Sequence, residues 1–225
     1  MANLVLTSRS TPVRGMVFPV PRPAPIGVFL GVVGLVFAGL LMGGLNLVAA
    51  GRMNPLDTTM SDYVFVPGAG WMFPASLLAM CGAGAGVAVG LRARGLFDGV
   101  LVRLALGLAL LGLVLAAVFE TDLGESVSVS ALIHRYAAGV VFFCVPITAF
   151  LVARQLPRRR PLYAGVVVTS VLLVLFLTCH LGPLENVLGG LSGLLQRLLF
   201  CSQLVVLAQL VRVVQRQAVG YALAA

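Results

Sequence analysis

The chain has 225 residues, 60% of them hydrophobic and only 10% charged, with 15 basic residues, 7 acidic ones and a formal net charge of +8. A soluble domain carries about 25% charged residues, so this composition excludes a soluble globule, which would lack polar surface, and a disordered chain, which would be poor in apolar residues. Four cysteines are too few for a disulfide scaffold, which leaves an integral membrane protein.

Residues 1–25 hold Pro12, Pro19, Pro21, Pro23 and Pro25 and read as an extended cytoplasmic arm. The first apolar run, Ile26 to Ala50, is long enough to cross about 30 Å of hydrocarbon at about 1.5 Å per residue. It exceeds the roughly 7–15 apolar residues of a signal peptide, so it reads as a retained helix although Val48-Ala49-Ala50 resembles a cleavage site. A polar loop, Asp57 to Tyr63, leads to the second span, Gly70 to Leu91. The third span runs from Leu101 to Phe119 and ends on Glu120-Thr121-Asp122. The fourth, Ala131 to Val152, opens with His134-Arg135. The fifth is Leu162 to Cys179, followed by His180. Leu181 to Gly190 is too short to span and is expected along the interface or folded back over the bundle. The sixth span runs from Leu194 to Val214, and residues 215–225 form a cytoplasmic tail.

The runs are apolar on both parities, which excludes a β-barrel. The fold class is therefore an all-α integral membrane protein, a six transmembrane helix bundle over residues 26–214. Gly39 and Gly43 in the first helix, and Gly82, Gly86 and Gly90 in the second, have the spacing that lets helices approach closely in lipid. Pro74 and Pro146 are expected to kink the second and fourth helices. Cys81, Cys144, Cys179 and Cys201 show no pairing pattern and read as small hydrophobes.

Every basic residue is an arginine, a skew that points to a GC-rich genome, and a bacterial source is expected. Arg9, Arg14, Arg22, Arg92, Arg94, Arg103, Arg154, Arg158, Arg159, Arg160, Arg212 and Arg216 share one side of a six-span topology, and only Arg52, Arg135 and Arg197 fall on the other. By the positive-inside rule both termini are cytoplasmic in a multi-pass cell-membrane protein. The arginines face anionic lipid, and no zinc-finger, RNP or helix-turn-helix pattern accompanies them, so no nucleic-acid partner is expected.

Asp57, Asp62, Glu120, Asp122, Glu125, Glu185, His134 and His180 all fall on the outer side. Groups capable of proton chemistry thus gather at one face. Arg197 lies about 22 Å along its helix from Arg212, near or just below the outer interface, where an unpaired charge is costly. Glu120, Asp122 and Glu185 are candidate partners, with Asp122 the first choice. Ser192, Gln196 and Gln203 form a stripe expected to face the bundle interior. The candidate ligand-binding residues are Asp62, Asp122, His134, Arg135 and Arg197. Asp122, His134 and Glu120 are the candidates for catalysis. No haem, metal or other cofactor is expected, because His134 and His180 lack a supporting ligand pattern and no Cys-x-x-Cys-His is present.

Ser61-Asp62-Tyr63, then Gly68-Ala69-Gly70-Trp71, then Thr121-Asp122 and His134-Arg135-Tyr136-Ala137-Ala138-Gly139 resemble the integral-membrane family catalogued as domain of unknown function 998, over roughly Asn46 to Val214. The resemblance implies a six-helix bundle and marks Asp62, Asp122, His134 and Arg135 as family-type polar positions without giving them roles. Three functions stay open. One is binding of a lipid or small amphiphile in a pocket at the outer face. Another is membrane-embedded acid–base catalysis on a lipid-like substrate, such as isoprenoid cyclisation or lipid modification, with Asp122 or Glu120 as the acid. The third is a small transporter or accessory subunit. Membrane lipids, and a lipid-like or isoprenoid ligand, are the expected partners.

Overall fold

The structure, a computed structural model, describes residues 25–122, 127–180 and 189–222. Most of the expected N-terminal arm, Glu125, Glu185 and most of the short segment before the sixth span lie outside the described residues, as does the end of the C-terminal tail.

Pro25 opens α1 (Pro25–Val48), a position where its missing N–H has no intrahelical partner. The connection to α2 (Met72–Ala93) includes a short 3-10 turn, Ser61–Phe65. Gly95, with φ of +67°, ends α2: its N–H bonds the Arg92 carbonyl, and the Leu96 N–H reaches back to the Leu91 carbonyl at 3.0 Å. That left-handed cap lets the chain reverse at once into α3 (Val100–Val118). α4 (Val129–Ala153) starts at Ser128, whose side chain accepts from the Ala131 N–H. α5 (Arg160–His180) and α6 (Ser192–Ala222) complete the bundle. Among the described residues six helices are long and apolar enough to span a membrane.

Each helix packs on its sequence neighbours, and α6 also touches α1, α2 and α4, which makes it the central post. Leu199, Val206, Leu207 and Leu210 of α6 are accordingly buried. Phe29, Phe37, Leu40 and Leu47 of α1, and Val167, Val171 and Val174 of α5, stand exposed. In water such patches would be a liability; in lipid they are the solvated surface.

Two expectations need correction. The close approach of α1 to α2 runs through Gly27, Gly34, Gly86 and Gly90, where an added Cβ would meet backbone or side-chain atoms of the neighbouring helices. Gly39, Gly43 and Gly82 face open space instead, because the helices' contact stripe falls elsewhere on their surfaces. Pro74 lies in the first turn of α2, where an N–H has no partner within the helix, so it has no reason to kink the helix. Pro146 does sit inside α4. It cannot donate to the Phe142 carbonyl one turn back, and the buried Gln203 amide donates to that carbonyl instead, at 3.2 Å. A polar residue at mid-span of α6 thus satisfies a carbonyl that a proline of α4 has freed.

Candidate functional site

The α1–α2 connection is anchored on the first turns of α6. The Leu194 N–H donates to the Leu56 carbonyl at 3.0 Å, and Ser192 Oγ donates to the Asp57 carbonyl at 2.9 Å. The Met60 N–H donates to Gln196 Oε1 at 2.6 Å. The approach depends on glycine, since a Cβ on Gly193 would overlap the Thr58 carbonyl oxygen. Gly70 is required in the same way: a Cβ there would overlap the Val64 carbonyl oxygen.

Arg197 closes this anchor. Its Nε donates to Asn46 Oδ1 at 2.9 Å, and its Nη1 donates to the carbonyls of Thr58 at 2.9 Å and Gly193 at 2.8 Å. The guanidinium lies 4.9 Å from the centroid of the Tyr63 ring, a residue only 1% exposed. A fixed fork of donors over an aromatic face suits arginine and offsets the cost of holding the charge near hydrocarbon. Among the described residues no carboxylate pairs with Arg197, and its Nη2 has no partner there; Glu185, one of the expected candidates, lies outside the described residues. Asp122 is engaged elsewhere, accepting from the Ser128 N–H at 2.5 Å and from Ser128 Oγ at 3.0 Å. It secures the start of α4, and Ser130 Oγ adds a bond to the Glu120 carbonyl at 2.9 Å.

Beside the anchor, a cavity of about 280 Å³ opens among α4, α5, α6 and the two polar loops. Asp62, Asp122, His134 and Arg135 line it, together with Thr59, His180 and Gln196. Four of the five expected ligand-binding residues are thus brought together, while Arg197 stays in the loop anchor. Of the expected catalytic candidates, Glu120 is exposed and lines only a minor pocket nearby. Thr59 donates to Asp62 Oδ2 through its N–H at 3.2 Å and its hydroxyl at 2.7 Å, which leaves Oδ1 unengaged among the described residues. Arg135 is exposed at the mouth. His180 stacks on Phe176 with ring centroids 5.1 Å apart. Among the described residues no three His, Cys, Asp or Glu side chains converge to hold a metal ion.

His134 is 5% exposed, and its environment sets its tautomer. Nδ1 lies 2.9 Å from the Ala116 carbonyl oxygen and 2.8 Å from that of Phe119, at the C-terminal end of α3. Carbonyls only accept, so Nδ1 carries the proton. In the neutral ring Nε2 is then an acceptor, with no partner among the described residues.

One further space adjoins this cavity and another lies further along α4 and α5. An inner chamber of about 50 Å³ shares His134, Ala138, Phe142 and Gln196 with it and continues past Phe200 to Gln203. An apolar groove of about 220 Å³, lined by Phe143, Pro146, Phe150, Val166, Ser170 and Leu173 among others, lies between α4 and α5. Arg135, Gly139, Phe143, Pro146 and Phe150 follow at three- or four-residue steps on α4, as do His180, Leu177, Leu173, Ser170 and Val166 on α5. Such steps trace one helix face, so the polar cavity and the apolar groove follow one another along a seam of the same two helix faces about 22 Å long, without a shared lining residue. Sequence reading missed this groove. Pro146 was the available signal, since a kink there can open a pocket, but it did not say on which side of α4 the space would lie.

Residues 25–213 match the model of a family described as Protein of unknown function (DUF998), beginning earlier in α1 than the motif resemblance did. No curated protein and no solved structure matches the chain.

Proposed function

The chain belongs to the DUF998 family, and from that premise we propose that it binds a single-tailed or multi-tailed amphiphile along the α4–α5 seam, head in the polar cavity and one tail in the groove. The observation that carries this reading is the register of the two spaces. One helix face on α4 and one on α5 change from polar to apolar lining within about 22 Å. That gradient matches an amphiphile lying parallel to the bundle axis, its tail still touching bulk lipid. Pocket walls that are mostly apolar with a few placed polar groups are the usual form of a ligand site. The arginine asymmetry supports a cavity that opens at the outer side of the cell membrane.

Binding is favoured over acid–base catalysis because neither of the two carboxyls expected as the acid is placed to give a proton to the cavity. Asp122 uses both oxygens as acceptors from Ser128, and Glu120 does not line the cavity. The test is Gly139→Phe. Gly139 lines the cavity, and a Cβ there meets nothing within 4 Å, so the ring would enter open space without disturbing the helix. Native mass spectrometry of the purified protein should show a retained lipid in the wild type and at least a tenfold loss in the variant, at unchanged thermal stability. Equal retention in both would overturn the proposal.

A further inference from the structure

The inner chamber carries polar groups that neither the loop anchor nor the helix packing uses. Gln203 is 1% exposed, and its Oε1 has no hydrogen-bond partner. The amide orientation follows from its other end: Nε2 donates to the Phe142 carbonyl, and a carbonyl tolerates only a donor there. His134 faces the same chamber with Nδ1 committed to two carbonyls, which makes Nε2 of the neutral ring an acceptor. Gln196 spends its Oε1 on the Met60 N–H, and that leaves its amide N–H groups as donors at the chamber wall. The chamber thus offers two acceptors and one donor in an otherwise apolar enclosure of Met, Phe, Leu, Val and Ala. A buried acceptor without a partner is costly, and the cost is removed by any group that donates to it.

From this inventory we infer that the inner chamber is a subsite for an uncharged hydroxyl of the ligand's head group, so that the seam selects hydroxyl-bearing amphiphiles over anionic ones. The inference rests on the seam reading above and adds the chemistry of the head. A hydroxyl accepts from the Gln196 amide and donates to His134 Nε2 or Gln203 Oε1, which no ether or ester oxygen can do. The space fits: about 50 Å³ exceeds the roughly 10–15 Å³ that a single water-sized group needs, and it is far too small for a second tail. Charge points the same way. The adjoining cavity is lined by Asp62 and Asp122 against Arg135, so a phosphate would meet two carboxylates for one guanidinium. Carboxylates and amide oxygens accept from hydroxyls and repel anions.

The test compares three probes on the full chain in phosphatidylcholine nanodiscs: monooleoylglycerol, its di-O-methyl ether, and oleoyl lysophosphatidate. Each is titrated against retained lipid in native mass spectrometry. The wild type should bind monooleoylglycerol at least tenfold more tightly than either of the others. Gln203→Leu alone would strand the Phe142 carbonyl, so the diagnostic protein is Pro146→Ala/Gln203→Leu, in which the new Ala N–H can restore the backbone bond, with Pro146→Ala as its control. Pro146→Ala alters the groove wall in both proteins alike, so the ratio of alcohol to ether affinity in the double variant is read against that of Pro146→Ala, and the double variant should lose the preference, binding the alcohol and the ether within twofold of each other. A wild type that binds the ether as well as the alcohol, or the phosphate better, overturns the hydroxyl subsite and leaves the seam reading intact. The same holds for a double variant that keeps the preference, and a chamber filled only by water would give these results. A wild type that retains none of the probes and no cellular lipid overturns the seam reading itself.

Discussion

Replacing Arg197 with leucine tests how the outer loop is held. The change removes three hydrogen bonds from a cation, to Asn46, Thr58 and Gly193, and the contact with the Tyr63 ring. Bonds to a charged group contribute about 1.5–3 kcal/mol each, and the cation–π contact about 0.5–2 kcal/mol. Arg197 is only half-buried, so screening reduces these values, and the leucine recovers part of the apolar contact. A net loss of about 3 kcal/mol is a reasonable figure. For a chain of this size that corresponds to roughly 6–12 °C in apparent Tm. Arg197→Lys keeps the charge but loses the fork, and should fall by about half as much. The assay is thermal unfolding in detergent followed by Trp71 emission, since that residue ends the anchored loop. Asp122→Asn should lower Tm by less, and its effect should add to that of Arg197→Leu within about 0.5 kcal/mol, because the two residues share no partner. Coupling of 1 kcal/mol or more would refute the reasoning and restore Asp122 as the partner of Arg197.

Gly70→Ala should cost several kcal/mol and depress yield, through overlap with the Val64 carbonyl, whereas Gly82→Ala should be neutral or stabilise by up to about 1 kcal/mol, read as Tm for both. His134→Ala leaves the Ala116 and Phe119 carbonyls without their donor and should cost about 1–3 kcal/mol. His134→Asn supplies an amide N–H near the same place and should recover part of that loss in a thermal melt. Pro146→Ala should rescue Gln203→Leu, with a coupling of about 1 kcal/mol in a double-mutant cycle, because the proline is what frees the Phe142 carbonyl. In a cysteine-free background, Leu56→Cys should react with an impermeant thiol reagent on intact cells and Arg159→Cys should not; the reverse pattern would invert the orientation.

The spans were legible in the sequence because hydrocarbon imposes a length and leaves few exceptions. All six runs reappear as helices within a few residues of the expected ends. That Asp122, His134 and Arg135 lie at one end of the bundle was legible too, since polar groups at helix ends of one parity share a face, but Arg197 was expected with them and lies in the loop anchor instead. Side-chain partnership was harder to read. Asn46 lies in a run that reads as apolar, so nothing flagged it as an acceptor for Arg197. The roles of Pro74 and Pro146 differ because one lies in a first turn and the other does not, a distinction of a few residues in a helix boundary. Which glycines meet across α1 and α2 depends on rotation about the helix axes, and spacing alone leaves that free.

The central claim is that one lipid occupies the α4–α5 seam selectively, and photo-crosslinking at the groove tests it most directly. Benzoylphenylalanine placed at Ile147, which lines the groove, is compared with the same residue at Leu40 on the exposed face of α1. After irradiation in membranes, the adduct at Ile147 should be dominated by one lipid class, one carrying a free hydroxyl, and should vanish when Gly139→Phe is added. The adducts at Leu40 should mirror bulk lipid. The same bulk mixture at both positions, unaffected by Gly139→Phe, would contradict the account.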